Sequence, residues 1–144
     1  MNKSLLLLIN LFLILSSCTI EPQAIEYGKD ACFYCEMTIV DKIHGAEIVT
    51  KKGKVYKFDA AECMIYHIKE TNPDEIALFL TNRFNKPEEL IDATNATYLI
   101  SENIPSPMGA YLSAFKLKQD AESVLAKKGG KLYTWKEILA KKSK

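Results

Sequence analysis

AEIVTKKGKVYKFDAAECMIYHIKE, residues 46–70, decides how this chain is read. Two segments rich in β-branched and aromatic residues, Ala46–Thr50 and Val55–Phe58, flank the turn Lys51-Lys52-Gly53-Lys54 and read as a hairpin. Asp59 is placed to cap a helix, and Glu62 stands at the third helical position, completing a capping-box pattern. Ala61, Met64, Ile65 and Ile68 recur at helical spacing, so the helix is expected to run to about Glu70 with that face inward. A hairpin feeding a helix gives an α+β fold.

Working outward, a strand is expected at 38–40 and, after the break at Asn72-Pro73, further strands at 76–81, 89–92, 97–101 and 111–115. A second helix fits 118–128, with Gly129 as its C-terminal cap, followed by a strand at 131–135 and a short helix at 136–142. Gly53-Lys54-Val55-Tyr56-Lys57-Phe58 resembles Gly130-Lys131-Leu132-Tyr133-Thr134-Trp135, and each precedes a helix. The likeness suggests two similar small ββαβ-type halves, roughly 30–85 and 86–144.

The chain begins as an export signal. Lys3 precedes an apolar run over residues 5–15, and Ser16-Ser17 stand directly before Cys18. Such a run is short of the roughly 20 residues a membrane-spanning helix needs. Leu15-Ser16-Ser17-Cys18 fits a lipobox, so residues 1–17 are expected to be removed and Cys18 to carry the lipid, with acyl chains such as palmitate holding the protein to a bilayer. Residues 18–29 read as a lipidated tether, and 30–144 as the folded domain. The signal contains one lysine and no acid, so the mature chain balances 18 basic against 18 acidic side chains. That balance excludes nucleic-acid binding, and Lys141, Lys142 and Lys144 read as a solvated tail. The expected location is the cell envelope, facing the periplasm or the outside.

Lipidation leaves Cys32, Cys35 and Cys63, an odd number in an oxidising compartment, and an unpaired thiol there invites a metal or a redox role. The densest signal is Asp30-Ala31-Cys32-Phe33-Tyr34-Cys35-Glu36-Met37, in which a C-x-x-C overlaps a C-x-M. Thiolate and thioether donors select Cu(I) over harder ions. On an extended backbone Cys35 and Met37 would point the same way and share one ion, while Cys32 would need a turn to join them. Zinc would ask for four Cys or His ligands in a closed site, and a single C-x-x-C with no second knuckle at suitable spacing argues against it. A redox C-x-x-C should open a helix after a strand, whereas this one runs into β-branched residues. A structural Cys32–Cys35 disulfide without metal also fits the count. Elsewhere, Ser106-Pro107-Met108-Gly109 presents Met108 on a loop. Cys63 and His67, four apart on one helix, could share a metal, and His44 could reach a metal or face water.

Taken together the motifs resemble the NosL family, lipoprotein accessory factors of nitrous oxide reductase maturation. The resemblance rests on the lipobox, on Cys32-Phe33-Tyr34-Cys35-Glu36-Met37, and on Val55-Tyr56-Lys57-Phe58-Asp59 followed by Cys63-Met64. It continues through Ile91-Asp92-Ala93 ahead of Tyr98, Ser106-Pro107-Met108-Gly109 with Ala114-Phe115, and Gly129-Gly130. It implies two similar ββαβ-type halves and a Cu(I) metallochaperone, not an enzyme, with Cys35, Met37 and Met108 as ligands and a copper-enzyme maturation machinery or recipient copper enzyme as partner. Family members often carry Gly where Glu36 stands. The residues themselves leave a thiol-disulfide oxidoreductase using Cys32 and Cys35 as the alternative.

Overall fold

The computed structural model describes residues 19–141; the signal peptide, Cys18 and residues 142–144 lie outside the described part. Strands β1 (Ala46–Thr50) and β2 (Val55–Phe58) form the hairpin, with Ile48 opposite Tyr56 and Val49 opposite Val55. Gly53 takes φ +77° in the turn, a conformation open to glycine without steric cost. Helix α1 (Ala61–Glu70) follows and buries Ala61, Cys63, Met64, Ile65 and Ile68. Burying a side chain the size of Met64 or Ile65 contributes roughly 1.5–3 kcal/mol.

The start of α1 departs from the sequence reading. Ala60 is the N-cap and makes no side-chain bond. Asp59 is turned inward and buried, while Glu62 accepts from the Ser106 hydroxyl and, at 3.4 Å, from the Leu112 N–H. Tertiary partners claim both carboxylates, which is why no capping box forms there. It forms instead on the last helix, where Glu137 Oε2 accepts from the Thr134 N–H at 2.7 Å and Thr134 Oγ1 accepts from the Glu137 N–H at 3.4 Å.

A 3-10 turn (Pro73–Glu75) leads into β3 (Ile76–Arg83) and β4 (Lys86–Asp92), completing an antiparallel sheet of order β2-β1-β3-β4. Strands β5 (Thr97–Ile100) and β6 (Leu112–Phe115), helix α2 (Lys118–Lys128) and strand β7 (Lys131–Thr134) build a second sheet, β6-β5-β7, and helix α3 (Trp135–Ala140) follows. The units β1-β2-α1-β3 and β5-β6-α2-β7 have the same connectivity and the same strand order, so the chain contains two ββαβ halves with β4 added to the first. The correspondence differs from the one the sequence suggests. Residues 53–58 lie on β2, ahead of the helix of their half, whereas 130–135 lie on β7, behind theirs. Their likeness reflects only that each is a short strand running into a helix.

Two further expectations are corrected. Residues 38–40 form no strand but a single bridge, Ala31 to Thr38, because the chain turns again at once around Asp41, whose Oδ1 accepts from the N–H groups of Ile43 and His44. The tether expected to extend to residue 29 is seated on the sheet from Gln23 onward. Buried Glu47 needs a donor and receives the Gln23 N–H at 2.9 Å, and Lys57 Nζ donates to the Ala24 carbonyl at 2.7 Å.

One apolar cluster runs through both halves, joining Ile48, Phe58, Met64 and Ile65 to Tyr98, Leu112 and Ile138. The Phe84 N–H adds a 2.8 Å bond to the Ala114 carbonyl. Gly129 ends α2 at φ +68°, its N–H donating to the Leu125 carbonyl. A Cβ on Gly130 would overlap the Ile100 carbonyl oxygen, so this pair brings β7 against β5 as no other residue could.

Candidate metal centre

Cys32 precedes and Cys35 ends a tight turn at 33–35, closed by the Glu36 N–H donating to the Cys32 carbonyl at 2.9 Å and the Cys32 N–H donating to the Met37 carbonyl at 2.8 Å. The turn is pinned to the hairpin where the Phe33 N–H donates to the Lys57 carbonyl at 2.8 Å and Lys57 Nζ pairs with Asp30 at 2.7 Å. Two residues beyond Lys57 the chain leaves β2 and places Asp59 beside the turn, and the first turn of α1 adds Cys63. One ligand atom from each of Cys32, Cys35, Asp59 and Cys63 lies within 4.8 Å of all the others. The third and fourth ligands that the C-x-x-C pair lacks thus come from the β2–α1 junction.

The three cysteines are free thiols; Cys32 and Cys63 are buried and Cys35 is half-buried. The neighbouring Cys63 thiol, together with the N–H groups of Cys35, Asp59 and Tyr34, outweighs burial and pulls the Cys32 thiol down to about 6. Cys63 is held well above the ordinary thiol range by the Cys32 sulfur beside it, by burial and by the neighbouring Asp59 carboxylate. Burial also raises Cys35, partly offset by the Met37 N–H that faces its sulfur. Cys35 Sγ donates to Asp59 Oδ2 at 3.5 Å, while Asp59 Oδ1 is buried without a partner. Three sulfurs and an unpartnered buried carboxylate oxygen form a donor set that a soft or borderline cation would satisfy, displacing the protons the thiols carry.

The other sequence candidates fall in different places. The backbone between Cys35 and Met37 is not extended: Glu36 sits at φ +64°, a left-handed conformation that explains why Gly suits this position. Met37 is 47% exposed on the outer side of the loop. Met108 is partly buried and lines a cavity of about 550 Å³ with Glu62, Ile65, Tyr66 and Tyr111. Both nitrogens of buried His44 are engaged, Nδ1 at 3.0 Å from Asp41 Oδ2 and Nε2 at 3.3 Å from Ser113 Oγ, so neither is offered to a metal or to water. His67 packs against Phe33, Tyr56 and Phe58 at 5.2–5.7 Å between ring centroids, and burial lowers its pKa. It does not join Cys63 in the cluster. Asp59 is the ligand candidate missed in the sequence, where its position before a helix suggested a cap; its i, i+4 spacing to Cys63 was the available cue.

The family model described as NosL matches residues 22–142, nearly the whole described chain. The chain belongs to the NosL family. A curated relative, the copper-binding lipoprotein NosL of Stutzerimonas stutzeri, is 30% identical over 128 residues, covering 83% of this chain and 67% of its own. The crystal structure of the copper chaperone NosL from Shewanella denitrificans matches at a TM-score of 0.72 and 25% identity, over 83% of this chain and 96% of that one. The NosL fold accounts for the paired sheets, and the names of these relatives describe metal-binding accessory proteins rather than enzymes.

Proposed function

We propose that this NosL protein is a lipid-anchored Cu(I) metallochaperone of the cell envelope. The observation that carries the reading is the convergence of Cys32, Cys35, Asp59 and Cys63, with Cys35 alone among the three thiols reaching the surface. Cys35 is the ligand at which copper is exchanged, Cys32 and Cys63 hold the ion from within, and the C-x-M motif and the Ser106-Pro107-Met108-Gly109 loop imply the thioethers of Met37 and Met108 as further soft donors. Cargo passes when sulfurs of a recipient displace these ligands one at a time, so no free ion is released. The recipient is a copper enzyme under assembly, nitrous oxide reductase or a related one, and Cys18 carries the anchor, facing the protein to the periplasm or the outside.

The test is an anaerobic Cu(I) titration of the reduced protein against a chromogenic chelator, with Cys35→Ser and Met37→Ile alongside. Tight binding weakened in both variants is expected. Affinity equal in all three would contradict the assignment.

A further inference from the structure

We propose that the metal-free chain closes its own site by forming a Cys32–Cys63 disulfide, with Cys35 as the thiol at which exchange with an external disulfide begins. Access fixes the order of events. Cys32 is 1% and Cys63 0% exposed, so a reagent as bulky as glutathione disulfide can reach only Cys35. All three sulfurs lie within 4.8 Å of one another, close enough for the bond to pass inward by small rotations. Cys35 Sγ donates to Asp59 Oδ2 at 3.5 Å.

The steps balance. The Cys35 sulfur attacks glutathione disulfide and expels one glutathione thiolate; Cys32 attacks Cys35 Sγ and expels the second; Cys63 attacks Cys32 Sγ and releases Cys35 as a thiol. Two cysteines lose two electrons and two protons, and the external disulfide gains them as two thiols. The inner pair accumulates because burial of both its sulfurs keeps external thiols from it. It also joins the metal loop to α1, closing a much longer loop than a Cys32–Cys35 bridge would. Its formation removes two of the three thiol donors of the cluster, so the oxidised chain holds the ion far more weakly. This last consequence alone rests on the copper reading.

The pairing can be read by peptide mapping. Trypsin leaves Cys32 and Cys35 together in residues 30–42 and Cys63 in residues 58–69. Reduced, metal-free protein is exposed to glutathione disulfide, quenched with N-ethylmaleimide and digested. The expected product joins the two peptides through Cys32, with Cys35 alkylated. A ring within 30–42, a Cys35–Cys63 link, a lasting glutathione adduct or three alkylated thiols would each overturn the proposal. With Cys35→Ser the cross-link should appear at least about tenfold more slowly; an unchanged rate removes Cys35 from the route. Protein loaded anaerobically with Cu(I) should resist. A cross-link forming equally fast with and without copper would leave the disulfide standing and sink the copper reading instead.

Discussion

The two halves of this protein use one topology to different ends, and the contrast is sharpest where the second strand of each half runs into its helix. In the first half β2 ends at Phe58 and α1 begins at Ala61; in the second β6 ends at Phe115 and α2 begins at Lys118. Both phenylalanines are fully buried, so the frames align. Asp59 then corresponds to Lys116 and Cys63 to Asp120. At one junction these positions converge on two more thiols. At the other Lys116 is exposed and Asp120 pairs with Arg83 at 3.3 Å, helping to tie the halves together. The helices differ likewise: α1 buries most of one face, α2 only Ala121. The fold supplies a position near the end of a strand, and the residues standing there decide whether it becomes a ligand site or a brace.

Paired substitutions in the two halves test this contrast. The largest effect should come from Met64→Ala, which opens a cavity under α1 and should cost about 2–5 kcal/mol in denaturant unfolding. Val124→Ala on the lightly packed α2 should cost about 1 kcal/mol or less. Equal losses would erase the difference between the helices. Next, Cys63→Ser should weaken Cu(I) binding on the order of 100-fold, while Asp120→Ser leaves the affinity unchanged. A smaller loss, about tenfold, is expected for Asp59→Asn against none for Lys116→Ala, read in the same chelator competition. If Lys116→Ala moved the affinity as far as Asp59→Asn, the site would not belong to the first junction. The smallest effect belongs to Glu36→Gly. It relieves a left-handed residue worth roughly 1–2 kcal/mol but loosens the unfolded chain by about 0.4–1 kcal/mol, so the unfolding midpoint should rise slightly. A fall would mean that the Glu36 side chain stabilises the loop.

Much of this was legible from residue order. The hairpin, α1, α2 and the later strands follow from periodicity and turn residues, because local propensity and tertiary packing agree there. The pairing of the halves was legible only as a conclusion: Val55–Cys63 and the segment 112–120 that matches it share little beyond the phenylalanine, so the true correspondence leaves almost no trace in sequence. Asp59 was misread because a carboxylate before a helix looks the same whether it caps the helix or turns to a thiol cluster. Only the approach of the 33–35 turn separates the two, and that contact spans 24 residues. Cys35 and Cys32 stood out through their own spacing, whereas the engagement of both His44 nitrogens depends on Ser113, 69 residues away.

The most direct test of the central claim is copper K-edge X-ray absorption on the protein loaded anaerobically with one equivalent of Cu(I). A first shell dominated by sulfur, losing a sulfur scatterer in Cys63→Ser, is what the thiol cluster at the β2–α1 junction predicts. A shell dominated by imidazole nitrogen, or one unchanged by Cys63→Ser, would contradict it.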